Sequence, residues 1–253
     1  MNRETQSVLL LLVGGAVLRI SLSDVYLRYV KEGLRPFLIV AGALLVVIAV
    51  ATLVRELFSK DTSGVVPVGD ERDHADHAGD DGHGHGHHGP RVAWLLVLPV
   101  FATFLIAPPA LGSYAASRGG TAVLKQPTSE FAPLPKTDPA EISVVEYFTR
   151  AVWDKGASMK GRDVKLTGFI SPRPDGGVYL TRIMLSCCAA DGRPIKVGLS
   201  GDQAAGLKAD SWVEVVGRYD PKTDKDEASQ QQIPYLTVGS VTPIKPPKQP
   251  YEQ

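Results

Sequence analysis

The run Phe37 to Val54, FLIVAGALLVVIAVATLV, carries no charge and is bracketed by Arg35 and Arg55. A helix rises about 1.5 Å per residue, so a run of this length nearly crosses a hydrocarbon core of about 30 Å. A bilayer is therefore the expected surrounding for this segment, and the rest of the chain must be arranged around it. Two more apolar stretches flank it. Val92 to Leu111, VAWLLVLPVFATFLIAPPAL, is also uncharged, with Pro99, Pro108 and Pro109 interrupting its backbone hydrogen bonding. Proline is tolerated in membrane helices where neighbours repair the freed carbonyls. Val8 to Leu18 is short enough to be a signal-peptide core. No small-residue cleavage site follows it, however, and the continuation ISLSDVYLRYV can extend a helix, so an uncleaved span is expected. Arg19 then lies near a membrane boundary, where it either snorkels to the headgroups or meets another membrane subunit. The expected architecture is an α-helical membrane domain over 1–111, with three predicted spans at about 6–22, 36–55 and 91–111.

Whole-chain averages hide this segmentation. The mean hydropathy is +0.00, and 27 basic residues balance 27 acidic ones. Balanced charge without a basic stripe argues against nucleic acid as a partner, because phosphate binding needs clustered cations. Three spans place the termini on opposite sides of the membrane. Arg3, Arg55, Lys60, Arg72 and Arg91 fall on one side; Arg28, Lys31, Arg35, Arg118 and Lys125 fall on the other. Charge alone does not orient such a chain. The short basic start favours a cytoplasmic N-terminus, which would put the C-terminal domain outside.

The linker 61–89 is acidic and glycine-rich, and it holds all six histidines. They are His74, His77, His83, His85, His87 and His88, in the string DHADHAGDDGHGHGHH. This composition builds no packed core. Neutral imidazoles suit Zn, Cu and Ni, and a pliant chain can wrap several around one ion with little discrimination between metals.

Residues 112–138 contain Gly119, Gly120, Pro127, Pro133 and Pro135 and read as a tether to a soluble domain over 139–253. Asp138-Pro139-Ala140-Glu141 has the pattern of a helix start, and Ile142, Val145, Phe148 and Val152 would form its apolar face. Five strand candidates follow: Val164 to Ser171, Val178 to Ser186, Ile195 to Leu199, Trp212 to Tyr219, and Pro234 to Ile244. One helix and five short strands predict a small β-rich, OB-like barrel. It lacks the basic groove with stacking aromatics that single-stranded nucleic acid requires.

The two cysteines, Cys187 and Cys188, are adjacent, so no disulfide framework is available. They fall where the second strand gives way to a turn, SCCAADGRP. Within a regular strand adjacent side chains point to opposite faces, so convergence requires the strand to end there. Three readings stay open. The pair is buried core; or, with Asp191 or a group from a partner, it ligates zinc or another transition metal; or it is a redox couple. The last would be strained, because adjacent Cα atoms lie about 3.8 Å apart and disulfides usually span about 4.4–6.8 Å.

The run RIMLSCCAAD, Arg182 to Asp191, with Trp212 to Gly217 and Pro250-Tyr251, resembles the YcgQ-like family of bacterial two-component membrane permease complex subunits. Tyr29-Val30, Pro108-Pro109, Leu111-Gly112 and Arg118-Gly119 extend the resemblance towards the N-terminus. Its most specific residues are Cys187, Cys188, Ala190 and Asp191, supported by Arg182, Trp212 and Gly217. The resemblance implies a multi-pass protein of the bacterial cell membrane, paired with a polytopic permease subunit. It also suggests a link to transition-metal handling. An accessory transport subunit is accordingly the leading expectation, and no enzymatic activity is expected. The alternatives are a membrane-tethered metal chaperone or sensor, and a thiol-redox protein. The last lacks C-x-x-C spacing and any histidine outside the linker to serve as a fixed base.

Overall fold

The computed structural model describes residues 3–60 and 109–252. The histidine linker and most of the expected third span lie outside the described residues. The chain forms two compact units, one from residues 1–23 and 35–108, the other from 24–34 and 109–253.

The described part of the first unit is a helical hairpin of α1 (Arg3–Leu22) and α2 (Arg35–Lys60). Glycine sets its close packing. A Cβ on Gly14 would lie 2.9 Å from Leu45 Cβ, and one on Gly42 would lie 2.9 Å from Leu18 Cγ. Small residues at such crossings are how helices pack where no hydrophobic drive separates protein from lipid. Ser7 and Thr52 share a hydroxyl hydrogen bond of 2.8 Å across the hairpin, and Arg35 Nε donates to the Ser21 carbonyl at 3.1 Å. Phe37, Val40, Leu44, Val47, Ile48 and Val54 are exposed along α2. A contiguous apolar face of this kind calls for cover by lipid or protein. Among the described residues, only the segment Glu32–Arg55 is long and apolar enough to cross a membrane; Gln6–Leu22 is a shorter apolar helix. Three spans were expected from the sequence; among the described residues the structure supports one, Glu32–Arg55.

The second unit is a β-barrel. Its strands are β1 (Ala140–Glu141), β2 (Val164–Pro172), β3 (Val178–Met184), β4 (Arg193–Ser200), β5 (Trp212–Lys225), β6 (Gln232–Ile244) and β7 (Tyr251–Glu252). The sheet order is β1-β2-β5-β6-β4-β3-β7, and an added β2–β3 pairing closes the five long strands on themselves. All neighbours in that ring are antiparallel except β4 and β6. A closed five-stranded ring with this single parallel contact has the connectivity of an OB barrel. All five expected strands are present. β5 runs past Tyr219 to Lys225, where it continues its hairpin with β6.

The helix before the barrel starts later than the sequence pattern suggested. Ala140 and Glu141 pair in parallel with Val164 and Lys165 as strand β1. This helix is α4 (Val144–Trp153), and a shorter one, α3 (Ser113–Arg118), precedes it. Ser143 caps α4, its hydroxyl accepting from the Glu146 amide at 3.0 Å. The Ser-x-x-Glu signal at 143–146 therefore outcompetes Asp138-Pro139. The buried face rotates accordingly to Val144, Tyr147, Phe148 and Ala151, while Val145 and Val152 are only partly buried. These residues close one end of a core built from Leu166, Ile170, Leu180, Ile195, Val197, Val213, Val215 and Leu236.

The segment 112–138 runs along the barrel. Ala122 is buried in the core and its amide donates to the Pro194 carbonyl at 2.8 Å. Arg150 reaches back to the Ala132 carbonyl at 2.7 Å, with its guanidinium over the Phe131 ring.

Candidate functional site: a dithiol turn

β3 stops at Met184, and the next eight residues turn the chain back into β4. One carboxylate organises this reversal. Asp191 Oδ1 accepts from the Ser186 amide at 2.9 Å, and Oδ2 accepts from the amides of Cys187 at 2.8 Å and Cys188 at 3.3 Å. Residues Ala189–Asp191, Ala190 among them, form a single turn of 3-10 helix with Cys188 at its N-cap. Gly192 permits the exit, since a Cβ there would lie 2.8 Å from Leu111 Cδ1.

The consequence is convergence of three donors. The sulfurs of Cys187 and Cys188 and a carboxylate oxygen of Asp191 all lie within 4.8 Å of one another. Both cysteines are free thiols; Cys187 is exposed and Cys188 half-buried. This placement argues against the buried-core reading of the pair. Two thiolates bonded to one tetrahedral ion at about 2.3 Å stand about 3.8 Å apart, which the turn can reach by small side-chain rotations.

Electrostatics at the turn are set by one bond. The Cys187 thiol donates to the Asp191 carboxylate, which pushes the thiol up to about 11, with Cys188 adding to the effect. The same bond, helped by the Ser186 amide, holds the Asp191 carboxyl down at about 2. A proton thus sits on Cys187 at neutral pH. An arriving cation must displace it, while Asp191 is already ionised.

The back of the turn is held by residues distant in sequence. Val30 forms an isolated antiparallel bridge with Cys188. The Lys31 amide donates to the Cys187 carbonyl at 3.0 Å, and the Ala189 amide donates to the Tyr29 carbonyl at 2.7 Å. Tyr251, buried beside Ile183, Leu185 and Leu111, donates its hydroxyl to the Arg28 carbonyl at 3.0 Å and accepts from the Leu111 amide at 2.9 Å. Arg182 fastens the last strand, its Nη2 donating to the Gln249 carbonyl at 3.2 Å, with Trp212 stacked 5.1 Å from the guanidinium. Burial pulls the pKa of Arg182 down from its ordinary value, with nearby Glu252 opposing. Gly217 serves a different purpose, at the β5–β6 crossing, where a side chain would collide with the Thr237 carbonyl. Of the other sequence-predicted ligands, His74, His77, His83, His85, His87 and His88 lie outside the described residues.

These barrel elements carry the family signal. Residues 147–252 match the family model of the DUF1980 C-terminal domain. The match takes in the five barrel strands, the dithiol turn and Tyr251. It is consistent with the YcgQ-like resemblance and assigns no activity. A comparison with curated proteins found no match.

Sequence reasoning found Cys187, Cys188 and Asp191 but missed Tyr251 and the backbone of Tyr29 to Lys31 as supports. Tyr29-Val30 and Pro250-Tyr251 entered only through the resemblance. No periodicity or spacing marks a single phenol that reaches a carbonyl and an amide far away in the chain.

Proposed function

We propose that this chain is an accessory membrane subunit whose DUF1980 C-terminal domain holds a transition-metal ion, zinc or a softer ion, on the dithiol turn, for a polytopic permease. The observation that carries the reading is the convergence of two thiols and a carboxylate on an exposed turn. Three donors leave a fourth position open on a tetrahedral ion, which suits an exchange site better than a closed structural one. The exposed face of α2 is what a membrane partner or lipid would cover. Residues 24–34 and the barrel belong to one unit, which supports placing the α1–α2 connection and the C-terminal domain on the same side of the membrane. The raised Cys187 thiol speaks against the redox reading, because reactive cysteines depend on a depressed pKa.

The test is cobalt loading of the full chain in mild detergent. Cobalt bound by thiolates gives a near-ultraviolet charge-transfer band that imidazole ligands do not produce. The band should appear in the wild type, vanish in Cys187→Ser/Cys188→Ser, and persist when all six linker histidines are alanine. A folded wild type without the band would remove the metal reading. Purification from native membranes addresses the permease: repeated recovery of this chain alone would remove the subunit reading.

A further inference from the structure

The segment between α1 and α2 meets the dithiol turn through backbone bonds to the very residues that carry the thiols. We infer that residues 28–31 and the phenol of Tyr251 are positioning elements of the metal site, so that metal loading at Cys187 and Cys188 and docking of the 24–34 segment on the barrel reinforce each other. This inference rests on the metal reading above.

The turn is held from two sides. On one side the Asp191 carboxylate gathers three amides. On the other, Lys31 and Tyr29 bond the carbonyl of Cys187 and the amide of Ala189, flanking the Val30–Cys188 bridge. β3 has already ended, so the described residues 187–189 take their only strand-like pairing from this segment. Cys188 is extended, with φ −150 and ψ 169, and an extended residue would by itself send its side chain away from that of its neighbour. The sulfurs converge because the backbone on both sides of Cys188 is fixed.

Tyr251 locks the docked segment in place. Its ring is 3% exposed, and its hydroxyl bonds both the Arg28 carbonyl and the Leu111 amide. Gln249 bonds Glu32, and Lys248 lies 3.6 Å from Asp24, so the residues leading into β7 hold the segment as well. An ion that needs two sulfurs at bonding distance binds best to the docked arrangement that brings them together. A ligand shifts an equilibrium by its differential affinity for the two states, and the coupling is reciprocal.

The test uses the full chain in detergent, with Co2+ as the probe. Tyr251→Phe deletes both hydroxyl bonds while keeping the ring in its pocket and leaving the thiols untouched. We expect it to weaken Co2+ binding, read from the thiolate charge-transfer band, by about fivefold or more, the lower range of common coupling strengths. In the wild type, Co2+ should slow amide exchange of peptides covering residues 29–34 and leave β5 and β6 unchanged. The exchange measurement needs no variant, so misfolding of Tyr251→Phe would not shield the inference. A wild type that shows no band overturns the metal reading and this inference with it. A wild type that shows the band, with Tyr251→Phe equal in affinity or with exchange at 29–34 unaffected by the ion, overturns this inference alone.

Discussion

The hydroxyl of Tyr251 donates to the carbonyl of Arg28 at 3.0 Å, joining residues 223 positions apart. That bond ties the C-terminal strand to the connection between the two N-terminal helices, and the Cys187–Cys188 turn lies against the same connection. A barrel attached only by a tether would need no such bond. The arrangement makes the chemistry of the turn and the placement of residues 24–34 a single structural problem, and consequences follow for each group that holds it.

Asp191→Asn should make Cys187 more reactive. The carboxylate accepts the thiol proton and pushes the thiol up to about 11. A neutral amide removes that charge, so the midpoint for alkylation of Cys187 should fall towards the ordinary thiol value of about 8.5. Rates of iodoacetamide labelling against pH, resolved by peptide mass spectrometry, give the midpoint. An unchanged or higher midpoint would mean that Asp191 does not hold the thiol protonated.

The Lys196–Asp226 pair should account for part of the acid sensitivity of the barrel. Lys196 Nζ lies 2.9 Å from Asp226, both residues are buried, and Thr121, Ala228 and Ser229 also donate to the carboxylate. Burial by itself would raise the Asp226 pKa; the bond from Lys196 and the Ser229 amide outweigh it, and the net shift is well down. A depressed folded pKa contributes stability that is fully present above the unfolded aspartate value of about 3.9 and is lost as pH falls through the folded one. Lys196→Met should therefore cost about 3 kcal/mol at neutral pH, since it strands a buried charge. The difference from wild type should shrink below about pH 4. Urea unfolding followed by tryptophan fluorescence at both pH values measures it, and a pH-independent difference would contradict the assignment.

Much of the fold was legible because its signals are local. Short β-forming runs marked all five barrel strands, and the uncharged run Phe37 to Val54 marked α2. The helix start was misplaced because two capping patterns stand five residues apart, at Asp138 and Ser143. The choice between them is tertiary: the Glu252 carboxylate accepts from the Val144 and Val145 amides at 2.8 Å each, stabilising the later start. The candidate site was half legible. Adjacent cysteines at a strand end with Asp191 nearby are visible in the sequence, whereas the partners behind them, Tyr29 to Lys31 and Tyr251, are joined to the turn only by folding.

The helical hairpin should depend on Gly42. Leu18 packs where its side chain would be, at 2.9 Å from a built Cβ. Gly42→Leu should push α1 away from α2. On a background without Cys187 and Cys188, Ser7→Cys with Thr52→Cys places two thiols where hydroxyl oxygens now lie 2.8 Å apart. Oxidative cross-linking in membranes should be efficient with Gly42 and severalfold lower with leucine. Equal yields would show that the close approach is not maintained in the bilayer.

Metal affinity should rise steeply with pH. A thiol ligand must lose its proton to bind, so metal uptake releases protons, and apparent affinity grows tenfold per pH unit for each proton displaced. Cys187, held up at about 11 by Asp191, stays protonated across the neutral range and contributes one such proton throughout. The logarithm of the Co2+ association constant of the full chain, followed by equilibrium dialysis, which counts the ion whichever ligands hold it, should therefore climb with a slope of about one or more between roughly pH 6 and 8. Imidazole ligation in the linker would behave differently, because histidine titrates near 6.5 and its proton dependence fades above that value. The Asp191→Asn variant separates the two sources further. With the thiol midpoint lowered, its slope should begin to flatten towards the top of the range, while any contribution from the linker histidines stays as it was. A wild-type slope that fell to zero by about pH 7.5 would place the ion on imidazoles and away from the dithiol turn.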